Sequence, residues 1–294
     1  MLDIKLKTFL EVANTMNFTK ASKNLHITQP AVSNHIHLLE KDYQCKLFDY
    51  HHKKLSLTKE GQFLQKRVRT LVNDELILKE QLRMGLPTTE HLKIGLTKTI
   101  GGFIAMKPLS HYLKEHHYEN ATISIKNTAT LLNELREGTI HLALIEGHFD
   151  NQEFDSLVYS MEKFVCVAHK DHQFSKPVKK LEDLLDETII LREDGSGTRA
   201  LLVNELFKNN LQLEDFKKRI VINAMHPLIQ LVEDDLGISF MYQSAIKEEL
   251  RRGDLQVIPL ENFEMSHNFT FVWLASSIFS EHYQEIAQDI TNDC

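Results

Sequence analysis

The sequence predicts an α/β protein with an all-α, winged N-terminal part, and three observations predict it. Apolar residues recur at three- to four-residue spacing through the first forty positions. A stretch with no proline and one glycine runs from Thr58 to about Met84. Beyond residue 91, short apolar runs alternate with helical stretches. The composition agrees: 42% apolar and 26% charged residues, with 11 Gly and 6 Pro, describe an ordinary globular chain. Its 294 residues suffice for two domains, or for a small one and a larger bilobed one.

Charge is divided along the chain. The net charge of −7 conceals 14 Lys and Arg against 9 Asp and Glu in residues 1 to 87, and 20 against 32 in residues 88 to 294. A basic N-terminal segment can neutralise phosphates and release counterions, while an acidic remainder repels the same polyanion. Uneven solvated faces are the plainer source of the same imbalance. Met1 to Lys7 lack the apolar core of a signal peptide, and no stretch approaches ~18 uninterrupted apolar residues. The expected compartment is the cytoplasm, with no membrane contact. Cys45, Cys166 and Cys294 are isolated thiols without CxxC spacing, expected to be reduced and structurally ordinary.

In the first helix Leu2, Leu6, Phe9, Leu10 and Ala13 share a face, and the helix ends near Asn17. Phe18 is a core anchor, and Thr19 is placed to cap a short second helix that turns Ala21 and Leu25 inward. After a break at His26 and Ile27, Thr28-Gln29-Pro30-Ala31 opens a third helix. Thr28 suits its N-cap, and Pro30 is tolerated because first-turn amides have no intrahelical acceptor. Val32, Ile36 and Leu39 face the core, which leaves Gln29, Ser33, Asn34 and His37 outward, able to reach base edges and phosphates in a major groove. Thr28 and Pro30 complete this candidate DNA-contacting set. Many three-helix bundles share the pattern. The polar run Asp49 to Lys54, followed by Leu55-Ser56-Leu57-Thr58, then reads as a hairpin tip leading into a strand. Lys53 and Lys54 on that tip suit the sugar-phosphate backbone.

These residues resemble the LysR-type transcriptional regulators. The matching run is Phe9, Asn17-Phe18-Thr19-Lys20-Ala21-Ser22, Leu25, Gln29-Pro30-Ala31-Val32-Ser33, Ile36, Leu39-Glu40, Leu47-Phe48 and Leu57-Thr58-Lys59-Glu60-Gly61. Two positions depart from the family's pattern. Gln44 stands where a turn glycine is usual, which suggests a slightly different turn, and Tyr50 where an arginine usually follows Leu-Phe. The second removes a phosphate or minor-groove contact. The first 60 residues hold nine Lys and no Arg, so bidentate arginine readout of guanine cannot come from this segment.

From Thr58 to about Met84, Leu64, Val68, Leu71, Leu78 and Leu82 form a heptad-like stripe interrupted by Glu75. As a coiled coil it would pair two subunits and set the spacing of two recognition helices; as a lone helix it would pack on its own domain. Gly85, Pro87, Thr88 and Thr89 end it in a hinge.

Candidate strands follow at 92–96, 122–126, 142–145, 164–168, 188–191, 220–222, 238–241, 255–258 and 269–274, with helices near 103–116, 129–137, 198–209, 226–235 and 280–290. Such alternation implies mainly parallel sheets covered on both faces. The resemblance implies two α/β lobes, as in type II periplasmic solute-binding proteins, the chain crossing near 161 and returning near 267. The expected domains are a winged helix-turn-helix over 1–58, a linker and dimerisation helix over 59–87, and an effector-binding domain over 88–294. Its lobe I comprises about 88–161 and 268–294, and lobe II about 162–267.

Ligands on such sheets bind beyond the carboxyl ends of strands. Hydroxyl residues stand there repeatedly: Thr97-Lys98-Thr99, Asn127-Thr128, the run Asp194-Gly195-Ser196-Gly197-Thr198-Arg199, and the turn Asn223-Ala224-Met225-His226. The candidate effector set is Thr97, Lys98, Thr99, Thr128, Ser196, Gly197, Thr198, Arg199 and Met225. Hydroxyls, free amides and Lys98 or Arg199 together suit a carboxylate or a sulfur oxyanion. Ser and Thr also cap helices everywhere, and Arg199 could instead pair with a nearby acid. The Gly-Ser-Gly-Thr-Arg run looks like the family branch that includes sulfur-assimilation and carbon-fixation regulators.

Enzyme signatures are missing from the sequence: no GxSxG, GxxxxGK[ST] or HExxH, and no glycine-rich dinucleotide turn after a strand. Adjacent histidines, as at His51-His52 and His116-His117, point apart, so neither metal nor cofactor is expected. A solute-binding module without DNA function would share the cleft, but the basic N-terminal segment and the linker helix weigh against it. The resemblance implies double-stranded promoter DNA, a small-molecule effector and RNA polymerase as partners, and a homodimer or homotetramer as the assembly.

Overall fold

The computed structural model describes residues 3–51, 54–83, 91–118 and 120–292. Expectations that fell on Leu2, His52, Lys53, Gly85, Pro87, Thr88, Thr89 and Cys294 lie outside these residues. No helix among the described residues is long and apolar enough to cross a membrane. The chain divides into two compact units, one of Met1–Thr88, Arg136–Gly138 and Leu274–Ser280, the other of Thr89–Leu135, Thr139–Trp273 and Glu281–Cys294.

In the first unit α1 (Ile4–Thr15), α2 (Phe18–Asn24) and α3 (Gln29–Tyr43) enclose a core of Phe9, Val12, Ala13, Ala21, Val32, Ile36, Leu39 and Leu47. Val12 and Thr8 are fully buried on α1, so its inward face is wider than the expected stripe. The helix stops at Thr15, where Met16 turns left-handed. Asn17, not Thr19, caps α2. Its extended backbone lets the side chain accept the Lys20 amide at 2.9 Å, which puts Thr19 inside the first turn. Thr28 caps α3 and accepts the Ala31 amide, with Pro30 in the first turn where no donor is needed. Gln44 ends α3 with φ 54°. The turn is thus the left-handed kind that glycine favours, made by a residue that pays a steric cost there.

The wing is β1 (Phe48–His51) against β2 (Lys54–Leu57), antiparallel with Phe48 opposite Leu57 and His51 opposite Lys54. Thr58 then locks the wing to the next helix. Its amide donates to the Leu47 carbonyl, its hydroxyl donates to the Lys46 carbonyl, and that hydroxyl accepts the Gly61 amide at 2.9 Å. Gly61 is required by close approach, since a Cβ there would stand 2.1 Å from the Leu47 carbonyl oxygen. The helix so begun, α4 (Lys59–Arg83), is 25 residues long, about 37 Å at 1.5 Å per residue. Its expected stripe divides. Leu64 and Val68 pack inward, while Leu71, Leu78 and Leu82 are 48%, 45% and 64% exposed. On another face, Asp74 accepts a 2.6 Å hydrogen bond from the Ser277 hydroxyl and another from the Ile278 amide, and Thr70 donates to the Ala275 carbonyl.

In the second unit the strands form one nine-stranded sheet, ordered β4-β3-β5-β11-β6-β9-β7-β8 with β10 on β6. Strands β3 (Leu92–Thr97), β4 (Ala121–Lys126) and β5 (Leu142–Ile145) are parallel, as are β7 (Thr188–Arg192), β8 (Lys218–Ile222) and β9 (Ile238–Tyr242). Two long strands join these halves: β6 (Phe154–His169) runs antiparallel to β9, and β11 (Met265–Leu274) antiparallel to β5. β10 (Leu255–Ile258) is antiparallel to β6. The expected strand at 164–168 is only the second half of β6. The first half alternates in burial and carries Asp155, Ser156, Ser160 and Glu162, so it offers no apolar run to read.

Helices α7 (Thr128–Glu137), α8 (Gly197–Lys208), α9 (Met225–Glu233) and α11 (Ser280–Asn292) match expectation. The helix expected at 103–116 is α6 (Met106–Glu115), and a short α5 (Lys98–Phe103) precedes it where a turn was expected. Pro108 is tolerated only within a first turn, which demands a fresh start near Met106. The short polar α10 (Lys247–Arg252) has no counterpart in the sequence reading. Burial pushes the Cys166 thiol far above its ordinary range, so it stays protonated in the core.

Candidate DNA-reading surface and effector cleft

Because Val32, Ile36 and Leu39 bind α3 into the core, its other side is held outward. Gln29, Pro30, Asn34 and His37 are exposed and Ser33 is half-buried, with the Gln29 side-chain amide donating to the Ser33 hydroxyl at 2.8 Å. Thr28 is exposed at the leading end of this row. On the wing, Lys54 is exposed, as is Tyr50, at 69%. Glu40, on α3, accepts the Leu47 amide at 2.9 Å and pairs with Lys46 at 2.7 Å. Burial opposes ionisation of Glu40, yet these donors hold its carboxyl below the usual range and tie the wing's first strand to α3.

In the sheet unit the candidate effector residues converge where the carboxyl ends of β3, β5, β7 and β9 face one another. Thr97, Thr99, Thr128, Ser196, Gly197 and Thr198 are all buried there. They gather around a residue the sequence reading passed over, Glu146, which follows the fully buried β5 and is itself only 2% exposed. Thr99 donates to its carboxylate at 3.1 Å, and Thr128 donates to its backbone carbonyl at 2.8 Å. The Thr97 hydroxyl lies close enough to favour the ionised carboxyl, but makes no hydrogen bond of ordinary geometry. Burial dominates and pushes the Glu146 pKa up to about 7, against the pull of Arg192 and the two threonines.

The cations of this seam already have partners. Lys98 pairs with Glu193 at 2.8 Å and donates to the Asn223 carbonyl. Arg199 pairs with Asp194 at 3.0 Å and donates to the Arg192 carbonyl, the acid pairing that the sequence reading held open. Arg192, 4% exposed, binds Glu193 through Nε at 2.9 Å. Burial raises the Glu193 pKa, but donation from Arg192 and Lys98 outweighs it and keeps this carboxyl below its usual range. At the start of α7 the Ala129 amide is taken by the Gly195 carbonyl and the Thr130 amide by the Asn127 side chain. Ser196 and Thr198 bond each other at 2.7 Å. Met225, buried at the start of α9, packs in an apolar cluster with Val167, Ile190, Leu228 and Met241. A cavity of about 340 Å³ opens beside Thr128, Ser196, Gly197 and Arg199. Glu146, Arg192 and Glu193 were legible only as an acid after an apolar strand and an Arg-Glu pair at the end of another. Hydroxyl turns drew attention elsewhere.

Two family models cover nearly all of the chain: a bacterial regulatory helix-turn-helix protein of the lysR family over residues 5–62, and a LysR substrate binding domain over residues 87–291. The chain belongs to the LysR family of transcriptional regulators. As a LysR-type regulator it binds DNA through its helix-turn-helix and a small molecule through its C-terminal domain, and it is not an enzyme. It is similar to the regulator CysL of Bacillus subtilis, with 29% identity over 273 residues, 91% of this chain and 89% of that protein. Among solved structures, full-length LysG of Corynebacterium glutamicum with bound effector Arg has a TM-score of 0.63 at 15% identity, covering 100% of this chain and 99% of that one. The CcmR regulatory domain of Synechocystis in complex with 2-PG has a TM-score of 0.58 at 19% identity, covering 69% of this chain and 96% of that one. These two likenesses establish the fold.

Proposed function

We propose that the outer face of α3, with Thr28, Gln29, Pro30, Ser33, Asn34 and His37, reads base edges in the major groove of double-stranded promoter DNA, while Lys53 and Lys54 on the wing hold the backbone. The observation that carries this is the row of exposed polar side chains on a helix whose opposite face is fixed in a core. Full-length protein is expected to retard promoter fragments at low ionic strength. Protein that leaves such fragments free, with and without candidate metabolites, contradicts the reading. Lys54→Ala is expected to weaken all DNA alike and flatten the salt dependence, whereas Gln29→Ala or Ser33→Ala affects specific sites more.

The working assembly is a homodimer or homotetramer in the cytoplasm, with RNA polymerase a further partner. Its parts are the winged helix-turn-helix of 1–58, the helix of 59–87 and the effector-binding domain of 88–294, with lobes divided near 161 and 267. The exposed Leu71, Leu78 and Leu82 support pairing through α4. Leu78→Glu combined with Leu82→Glu is expected to halve the mass seen by light scattering, and an unchanged mass contradicts pairing there.

The effector is a small molecule with a carboxylate or sulfur oxyanion, held at the seam by Thr97, Lys98, Thr99, Thr128, Ser196, Gly197, Thr198 and Arg199. Arginine, the ligand of LysG, carries such a carboxylate. Effector binding changes the relative orientation of lobes or subunits and so repositions the paired recognition helices, by no more than its differential affinity for the two arrangements.

A further inference from the structure

Besides the Thr97 hydroxyl, four buried polar side-chain atoms among the described residues of this seam have no hydrogen-bond partner: Glu146 Oε2, Arg192 Nη1, the Tyr242 hydroxyl and Ser244 Oγ. Glu146 follows β5, Arg192 ends β7, Tyr242 ends β9 and Ser244 stands two residues on, so all four lie where the carboxyl ends of strands from both lobes meet. Arg192 and Tyr242 both interact electrostatically with Glu146, which makes the three near neighbours. Buried polar groups in folded proteins are satisfied almost without exception, because leaving one unmet forfeits its hydration with nothing in return. Several in one seam mark a place where another molecule supplies the missing partners.

The unmet groups differ in kind. Arg192 Nη1 can only donate, an ionised Glu146 can only accept, and the two hydroxyls do either. The charge inventory narrows the choice further. Lys98, Arg192 and Arg199 stand against Glu193, Asp194 and Glu146, so the seam is balanced when Glu146 is ionised. With Glu146 ionised, a bare anion leaves these six groups one charge negative, whereas a zwitterion preserves their balance and answers donor and acceptor together. Space for the rest of such a molecule adjoins. Ser244 and Glu162 line a groove of about 800 Å³ whose wall is apolar at Phe103, Ile104, Pro108 and Tyr159 and cationic at Lys107, Lys114 and Lys247, and Glu162 also acts on the Tyr242 hydroxyl.

We propose that this regulator senses a small zwitterion of the α-amino acid class, Glu146 receiving its ammonium and Arg192 its carboxylate. This rests on the reading that the cleft holds the effector, and it adds a cationic group to the acid assigned there. Tyr242 and Ser244 bind the same head group, and the apolar wall of the groove takes the side chain. A deaminated analogue leaves Glu146 Oε2 unmet, and a decarboxylated one leaves Arg192 Nη1 unmet, so each half alone binds poorly.

The test is thermal unfolding of the full-length protein with each proteinogenic L-α-amino acid at millimolar concentration, its α-hydroxy acid, its decarboxylated amine, and sodium sulfate. At least one amino acid is expected to raise the midpoint by several degrees while its hydroxy acid and its amine do not. Titration of that amino acid should show affinity at least about tenfold weaker in Glu146→Gln, with the preference over the hydroxy acid narrowed. Tyr242→Phe, which removes one hydroxyl without opening a cavity, should weaken it about threefold or more. Stabilisation by sulfate or a hydroxy acid equal to that by any amino acid leaves the effector cleft standing and overturns the zwitterion. So does an unchanged ranking of probes in both variants. Silence from every probe overturns it as well, while the DNA reading is judged separately by retardation.

Discussion

Gly147 and Gly197 meet backbone to backbone across the seam: a Cβ on Gly147 would stand 3.0 Å from the Gly197 Cα, and one on Gly197 would stand 2.4 Å from the Glu146 carbonyl oxygen and 2.8 Å from the Thr128 hydroxyl. Gly147 also has φ 95°, so two separate constraints act on it, whereas Gly197 is constrained by approach alone. Contact this close lets the lobes bring the Gly195 carbonyl onto the Ala129 amide. Gly197→Ala is expected to cost on the order of 1–3 kcal/mol, because the nearest opposing atom is a backbone carbonyl oxygen that cannot give way. Its unfolding midpoint should fall and its effector response weaken, with DNA retention in the absence of effector kept. Wild-type stability together with a wild-type response contradicts this packing.

Glu146 gives stability a distinct pH dependence. The unfolded chain releases this proton near the ordinary value of 4.5, while the folded protein keeps it to about 7. Between those values the folded state holds the extra proton, so its contribution is full at or below the lower pH and is lost as pH rises through the window. The loss amounts to roughly 3 kcal/mol. Chemical denaturation of wild type and Glu146→Gln across this range should show the wild-type stability falling relative to the variant as pH increases. Parallel curves contradict the buried acid.

The left-handed turn at Gln44 offers a stabilising change. Its φ of 54° is unfavourable for a side-chain-bearing residue, its own side chain is exposed, and its amide closes α3 on the Glu40 and Lys41 carbonyls. Gln44→Gly keeps that closure without the steric cost, and should gain ~0.5–1 kcal/mol in denaturant unfolding after the extra flexibility of the unfolded chain is counted. A loss of stability contradicts the strain at this turn.

What was legible in the sequence follows from how local each cause is. Thr28 as cap, Pro30 beside it and the inward Val32, Ile36 and Leu39 are contained within a few residues, so α3 and its outward row could be read directly. Leu142–Ile145, an unbroken apolar run, was equally plain. Asn17 displaced Thr19 because both types cap helices and only the backbone conformation chooses between them. The first half of β6 escaped notice because its half-exposed, polar-rich sequence offers no apolar run. The cleft escaped in part because its partners lie far apart in sequence. Lys98 finds Glu193 across 95 positions and Thr99 finds Glu146 across 47, so hydroxyls and cations could be named but not the acids that occupy them.

The most direct measurement of the DNA-reading role is made on Asn34, which is exposed in the middle of the outer row of α3 and supports no part of the core. Asn34→Glu places a negative charge where the duplex would lie and leaves the folded unit intact. Retardation of promoter DNA at low ionic strength should weaken by about a hundredfold or more, for specific and random fragments alike, with an unchanged unfolding midpoint. Wild-type affinity in that variant would show that DNA does not meet this face of α3.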